Sequence, residues 1–196
     1  MKLPLANKLK RRLHIQMAAL QDEVAAIIYA MEANAILHGG TAIWRCYDGN
    51  RFSEDLDFYI HPDSGFEEGF RNKIKERGLL LMKFKKTENA IFSKITDGFA
   101  EVRFEAIIRK TGARAAARSY EKTDGSFLDV LTLSAENLVS EKIAAYSDRR
   151  FIRDYYDIYH LLRYVKEMRR VSSEISAFLE KAAAPIDERK DRKSVV

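Results

Sequence analysis

The 196-residue chain has one cysteine, three prolines and nine glycines, and no apolar run approaching the roughly 20 residues that a membrane-spanning helix needs. Cys46 alone cannot close an intrachain disulfide, which points to a reducing, cytoplasmic setting rather than secretion. Residues 1–5 lack the apolar stretch of a signal peptide. The longest apolar run, residues 24–31, sits inside an amphipathic pattern, and no segment repeats. These absences exclude a collagen, a coiled coil, a disulfide scaffold and a membrane protein. Charge of one sign is also scarce: 34 Lys+Arg stand against 29 Asp+Glu, a net +5.

With 46% apolar and 32% charged residues, the length suits one domain, or one core with a small second lobe. The charge is uneven. Lys2, Lys8, Lys10, Arg11 and Arg12 precede the first acid, Asp22. Arg103, Arg109, Lys110, Arg114, Arg118 and Lys122 form a second cluster diluted only by Glu105 and Glu121. Such clusters can hold phosphates, and they can equally be a solvated surface.

Leu9, Leu13, Met17, Leu20, Val24, Ile27, Ile28 and Met31 recur at helical spacing and predict a long amphipathic helix with Asn7 as its cap. Residues 35–38 read as a short buried strand, Gly39-Gly40 as a tight turn and residues 41–47 as a short helix. Residues 56–60 form a second strand. Phe66, Phe70 and Ile74 mark a helix that Gly78 terminates. Residues 79–84, 91–95 and 99–108 follow as strands. In the last of these Glu101, Arg103 and Glu105 share one face, and Val102, Phe104 and Ala106 the other. Residues 111–122 read as a loop or hinge. This divides the chain into an α/β core with its N-terminal helix (1–115) and a mainly helical lobe (116–196) closing the same cleft. In the lobe, residues 127–131 add a strand, Ser134 caps a helix running to about residue 147, and two further helices end near Pro185. The charged tail at 187–193 is expected to fray.

The segments Leu37-His38-Gly39-Gly40-Thr41 and Arg51-Phe52-Ser53-Glu54-Asp55-Leu56-Asp57 carry the chemistry. Two glycines between a strand and a helix let the backbone approach a phosphate, Thr41 adds a hydroxyl, and the helix N-terminus favours anions. Asp55 and Asp57, two apart on a strand, point to one face about 7 Å apart. Carboxylates that close raise one another's pKa, a penalty that Mg²⁺ or Mn²⁺ removes. Glu105 on a neighbouring strand can complete the set, or pair with Arg103 or Arg109 instead. Three acids holding two metals fit nucleotidyl or phosphoryl transfer. Taken singly, Gly39-Gly40 is a turn, Asp55 a turn cap and His38 a structural histidine. Farther on, Lys142 can neutralise a triphosphate, with Asp154 orienting it. The competing reading is a salt-bridged helix surface, in which Arg153 and Asp157 pair at i,i+4 spacing.

In their order, these motifs resemble the AbiEii/AbiGii-type nucleotidyltransferase toxins, the toxin halves of type IV toxin–antitoxin pairs, with relatives among the MenT toxins. The resemblance runs from Leu-His-Gly-Gly-Thr-Ala and Arg-Phe-Ser-Glu-Asp-Leu-Asp-Phe through Val102-Arg103-Phe104-Glu105. It continues through the segments at 134–142 and 153–159, and in all covers about residues 30–165. It implies an α+β fold, with a polymerase-β-like core of mixed sheet and flanking helices followed by a helical lobe. It implies NTP and Mg²⁺ (or Mn²⁺) in the cleft. Gly39, Gly40, Thr41, Arg51, Ser53 and Lys142 would hold the NTP phosphates. Asp55, Asp57, Lys142 and Asp154 would be catalytic, and Asp55, Asp57 and Glu105 would hold metal. Thr41 stands where the wider superfamily often has Ser, and Glu105 where it commonly has Asp. The implied acceptor is an RNA, the 3′ end of a tRNA, and the implied protein partner is a cognate antitoxin. A small molecule or protein side chain as acceptor, and a non-catalytic nucleotide- or RNA-binding module, are the competing readings. RNA transfer predicts salt-sensitive RNA binding.

Overall fold

The first long helix, α1 (Arg12–Met31), buries Leu20, Val24, Ile27 and Ile28 of the expected stripe together with Ala18 and Ala25, while Leu13 is exposed and Leu9 lies ahead of the helix. Asn7 does not cap it. Pro4 instead starts a separate 3-10 turn, Leu5–Lys8, and α1 begins after Arg11, whose backbone is extended. The Ala6 N–H donates to the Thr123 carbonyl, and this bond holds the turn against residues 122–126, well over a hundred residues away in sequence. The computed structural model describes residues 4–108 and 115–182. Lys2, Arg109, Lys110, Gly112, Arg114, Pro185 and the tail at 187–193 lie outside the described residues.

After α1 come β1 (Ile36–His38), α2 (Gly39–Cys46), β2 (Asp55–Ile60), α3 (Phe66–Glu76), β3 (Leu80–Lys86), β4 (Ala90–Thr96) and β5 (Glu101–Ile108). β6 (Ala115–Glu121) and β7 (Phe127–Leu133) precede α4 (Ala135–Arg149), α5 (Ile152–Leu161) and α6 (Ser172–Lys181). Gly78 ends α3 with φ +68°, its N–H on the Lys75 carbonyl and that of Leu79 on Ile74, as expected of a glycine C-cap. The Ser134 hydroxyl accepts from the Asn137 N–H at the start of α4, also as expected.

The strands form one mixed sheet in the order β3-β4-β5-β2-β1-β7-β6. β2 runs parallel to β5 and β1 parallel to β7, and the remaining pairs are antiparallel. Residues 115–133 therefore continue the sheet, and the stretch read as a hinge is, from Ala115, an edge strand. The helical part begins only at Ala135. Composition concealed β6, because Ala-Ala-Ala-Arg has poor strand preference. Its backbone is drawn extended by full antiparallel pairing with β7.

α1 and α3 pack together and against β5 and β3. Beneath them lie Phe58, Phe70, Phe84 and Phe104, with ring centroids 5.5–6.0 Å apart, and Leu56, Ile91, Ile95 and Val102. Alternation along β5 puts Val102, Phe104 and Ala106 in this core and Glu101, Arg103 and Glu105 on the opposite face, as the sequence indicates. On that opposite face α4 lies over β1 and β2, while β4 and β5 remain open to solvent. No described helix is long and apolar enough to cross a membrane.

Candidate active site

Charged side chains converge where β1 ends, α2 begins and β2 starts. Gly39 opens α2 with φ +68°, a conformation that L side chains rarely adopt. A Cβ there would collide with the Asp57 carboxylate, so the backbone and this acid are in intimate contact. A Cβ on Gly40 would meet the Ser53 hydroxyl at 2.6 Å and an Arg51 guanidinium nitrogen at 2.8 Å. The first turn of α2, Ser53 and Arg51 thus bound one small recess of N–H, O–H and guanidinium donors, a set suited to phosphate oxygens. Gln21 of α1 fixes the loop by donating to the Ser53 carbonyl at 2.8 Å.

Thr41 is not part of that recess. It is fully buried, and its hydroxyl donates to the Asp55 carbonyl, tying α2 to the start of β2. Its role here is to position the strand that carries the acids, whereas its sequence position suggested direct phosphate contact.

Asp57 is partly buried and has no hydrogen-bond or ion-pair partner among the described residues. Burial pushes its carboxyl up to about 6, against the opposing pull of His38, with Asp55 and Glu105 adding to the rise and Lys142 opposing it. The mutual repulsion expected of the two aspartates is present, but burial is the larger cause. Asp55 differs from Asp57: Arg103, its register partner on β5, grips it through two bonds of 2.8 and 2.9 Å. Glu105 is the register partner of Asp57, so all three acids lie on one sheet face.

As the side chains stand, no group of three or more His, Cys, Asp or Glu among the described residues is arranged to hold a metal ion. Arg103 draws Asp55 away from such a set. The donor chemistry nevertheless suits a hard divalent cation: Asp57 is a carboxylate with no ion-pair partner among the described residues, flanked by two further carboxylates on the same face.

Opposite the sheet, Lys142 of α4 lies buried between two acids of α5, 2.8 Å from Asp157 and 3.4 Å from Asp154. Arg149 closes a fork on Asp154 at 2.7 Å, and Arg51 reaches across to Asp157 at 2.8 and 3.2 Å. Burial raises the Asp157 carboxyl, but Lys142 and Arg51 outweigh it and hold it below the usual range. Lys142 and Asp154 come together as the sequence suggested. Asp157 is 1% exposed and ties the phosphate-side Arg51 to Lys142, a role hidden by its i,i+4 spacing from Arg153. Arg149, Arg103 and Glu141 were likewise missed. Glu141 accepts from the Tyr59 hydroxyl at 2.5 Å and lies 3.3 Å from the His38 ring, which stacks on Tyr59 with centroids 4.0 Å apart. His38 is therefore held as a positioned ring at the end of β1. The one available signal for Asp157 and Arg149 was their spacing of three and five residues from Asp154 around a helix break, which does not reveal pairing. A cavity of about 800 Å³ opens beside Arg51, lined by Lys8, His14, Trp44, Phe52 and Tyr156 among others, but Asp55, Asp57 and Lys142 do not line it.

The model of the AbiEii nucleotidyl transferase toxin family, a type IV toxin–antitoxin system, matches residues 25–194. The fold is similar to the crystal structure of JHP933 from Helicobacter pylori, with a TM-score of 0.63 at 20% identity over 88% of this chain and 78% of that one. It is also similar to ANT(2″)-Ia in complex with adenylyl-2″-tobramycin, with a TM-score of 0.52 at 14% identity over 85% of this chain and 98% of that one. No curated protein matches the sequence.

Proposed function

Because the chain belongs to the AbiEii nucleotidyl transferase toxin family, we propose that it transfers NMP from an NTP to an RNA, the 3′ end of a tRNA, with a divalent cation. A cognate antitoxin is the protein partner this family membership implies. Asp57 carries the reading: an unpaired, desolvated carboxylate lies against the glycine turn that borders the Ser53–Arg51 recess.

In this reading the triphosphate tail sits at the Gly40 N–H, the Ser53 hydroxyl and the Arg51 guanidinium. Lys142 supplies a fixed positive charge from the α4 side. Asp157 holds Arg51 and Lys142 at a set separation, and Asp154, clamped by Arg149, keeps Lys142 from swinging away. These cations are already oriented when charge develops on the phosphates, so little reorganisation accompanies the reaction. The acceptor hydroxyl attacks the α-phosphorus, the bond to the β-phosphate oxygen breaks, and pyrophosphate leaves with its charge facing Arg51 and Lys142. Asp55 and Asp57 would hold Mg²⁺ or Mn²⁺, which when bound lowers the pKa of the attacking hydroxyl and neutralises phosphate charge. Glu105 lies within one strand spacing to assist.

The test is incubation with each α-labelled NTP, total tRNA and Mg²⁺ or Mn²⁺. Label on tRNA with the wild type and none with Asp57→Ala is the expected result. No label on RNA under any combination refutes the proposal, and label on a small molecule or a protein reassigns the acceptor.

A further inference from the structure

The sheet face that bears the acids extends well beyond them. One register row runs from His38 on β1 through Asp57 on β2, Glu105 on β5 and Phe92 on β4 to Lys85 on β3. The adjacent row reads Asp55, Arg103, Lys94, Lys83. Neighbouring strands lie about 4.8 Å apart, so Phe92 stands about 10 Å from Asp57 and Lys85 about 14 Å. Over β1 and β2 this face is covered by α4, through Glu141. Farther out it is open. Phe92 is 40% exposed, and Lys83 and Lys85 are exposed.

The alternate positions of the same strands, Ile91, Ile95, Val102 and Phe104, are fully buried. The Phe92 ring thus sits on the wet side of an interior strand, where core packing gives no reason for it. Lysines on β3 alone could be ascribed to protection of an edge strand, but that does not account for Phe92 on β4. Of the cations, Lys94 pairs with Glu101 and Arg103 with Asp55. Lys83 and Lys85 have no ion-pair partner among the described residues. An exposed ring bordered by cations, in register with acids that would face a 3′-hydroxyl, is complementary to a base-stacked, phosphate-bearing strand.

We infer that this open shelf of β3, β4 and β5 holds the single-stranded RNA leading into the reacting 3′ end. A base stacks on Phe92, and Lys83 and Lys85 face the phosphates. The inference rests on the reading of the site as an RNA nucleotidyltransferase. It adds the path by which the acceptor leaves the cleft and the side chains that grip it. At a stacked rise of roughly 3.4 Å per nucleotide, the 10 Å between Asp57 and Phe92 corresponds to about three nucleotides. Recognition of this kind is salt-dependent and tolerant of sequence, because every base has a face to stack and every nucleotide a phosphate.

Fluorescence anisotropy of the full chain with a labelled single-stranded RNA of about ten nucleotides tests it without any chemistry. Phe92→Ala is expected to weaken binding about 5- to 100-fold, and Phe92→Tyr to restore it. Lys83→Ala with Lys85→Ala should lower the slope of log affinity against log salt by about 1.4. These positions are exposed, so circular dichroism spectra should match wild type, and transfer to a dinucleotide too short to reach Phe92 should proceed at the wild-type rate. Wild-type affinity and salt slope in all variants would overturn the shelf, as would loss of self-association with RNA binding intact, which would make the face a contact between copies. If wild type labels RNA and the variants bind it normally, the shelf alone is wrong. If wild type labels no RNA, the reading of the site itself is wrong, and the anisotropy result still decides the shelf.

Discussion

Replacing Asp157 by Asn is the sharpest test of how the cleft is held together. The carboxylate is 1% exposed and neutralises two cations at once, Lys142 at 2.8 Å and Arg51 at 2.8 and 3.2 Å. The amide keeps the shape and one acceptor but removes the charge. Breaking a buried pair from one side typically costs about 3–5 kcal/mol, because the partner is left uncompensated. Here Lys142 keeps Asp154 at 3.4 Å, and the Arg51 side chain is 10% exposed and can recruit water. The lower end, about 3 kcal/mol, is therefore expected. Urea denaturation at pH 7 reads it as a lower midpoint with an unchanged m-value. The loss must also depend on pH in one direction. The folded-state carboxyl is held below its ordinary value, so its contribution is complete above the unfolded value of 3.8 and fades as pH falls through the lower, folded one. The gap between wild type and variant should therefore narrow as pH falls below 3.8 and close only below the folded-state value. A difference under about 1 kcal/mol at pH 7, or one that does not shrink on acidification, would refute the account of Asp157 as the shared counter-charge.

Three further outcomes follow from the same geometry. Gly39→Ala places a Cβ against the Asp57 carboxylate at φ +68°, so it should destabilise by about 1–2 kcal/mol or more and abolish label transfer; wild-type activity would show that the turn is not shaped around Asp57. Thr41→Val leaves the part-buried Asp55 carbonyl without this donor and should cost about 1–2 kcal/mol in thermal or urea unfolding with an unchanged KM for NTP, whereas a raised KM at wild-type stability would return Thr41 to the phosphates. Asp57→Asn removes a carboxyl whose folded value, about 6, exceeds the ordinary 3.8. The penalty it relieves develops between those two values and is complete above pH 6, so the variant without cation should be roughly 2–3 kcal/mol more stable than wild type at pH 7 and equal to it below pH 4. Mg²⁺ should raise the Tm of wild type and not that of this variant, and a variant less stable than wild type at pH 7 would contradict the assignment.

What could be read in advance divides along local and long-range lines. α3 and its glycine stop, the Ser134 cap, the alternation of β5 and the same-face placement of Asp55 and Asp57 all follow from periodicities within a dozen residues. The grouping of Gly39–Gly40 with Asp57 was legible because the glycines follow one short apolar strand and Asp57 lies within the next. β6 was not, since seven residues rich in alanine form a strand only through the partner that fixes them. Thr41 was misplaced because a hydroxyl beside two glycines has the same local signature whether it faces a ligand or the underlying strand. Arg103 on Asp55 and Arg51 on Asp157 bridge 48 and 106 residues, and no spacing rule reaches that far. The residues Asp55, Asp57, Arg51 and Lys142 could be named from the sequence, whereas the pairings of Arg51 and Lys142 with Asp157 and of Arg103 with Asp55 had to be seen.

The parallel pairing of β1 with β7, locked by the Thr132 hydroxyl on the Leu37 carbonyl 95 residues away, has a temporal consequence. A chain emerging from the ribosome carries Gly39, Asp55 and Asp57 early, yet β1 gains its second neighbour only after β7 has been made. Lys142, Asp154 and Asp157 follow later still. Nascent and truncated chains that end before α5 therefore contain both aspartates and no assembled cleft. For a member of a toxin family, this means that the cleft can assemble only after α5 has been made, however early both aspartates appear.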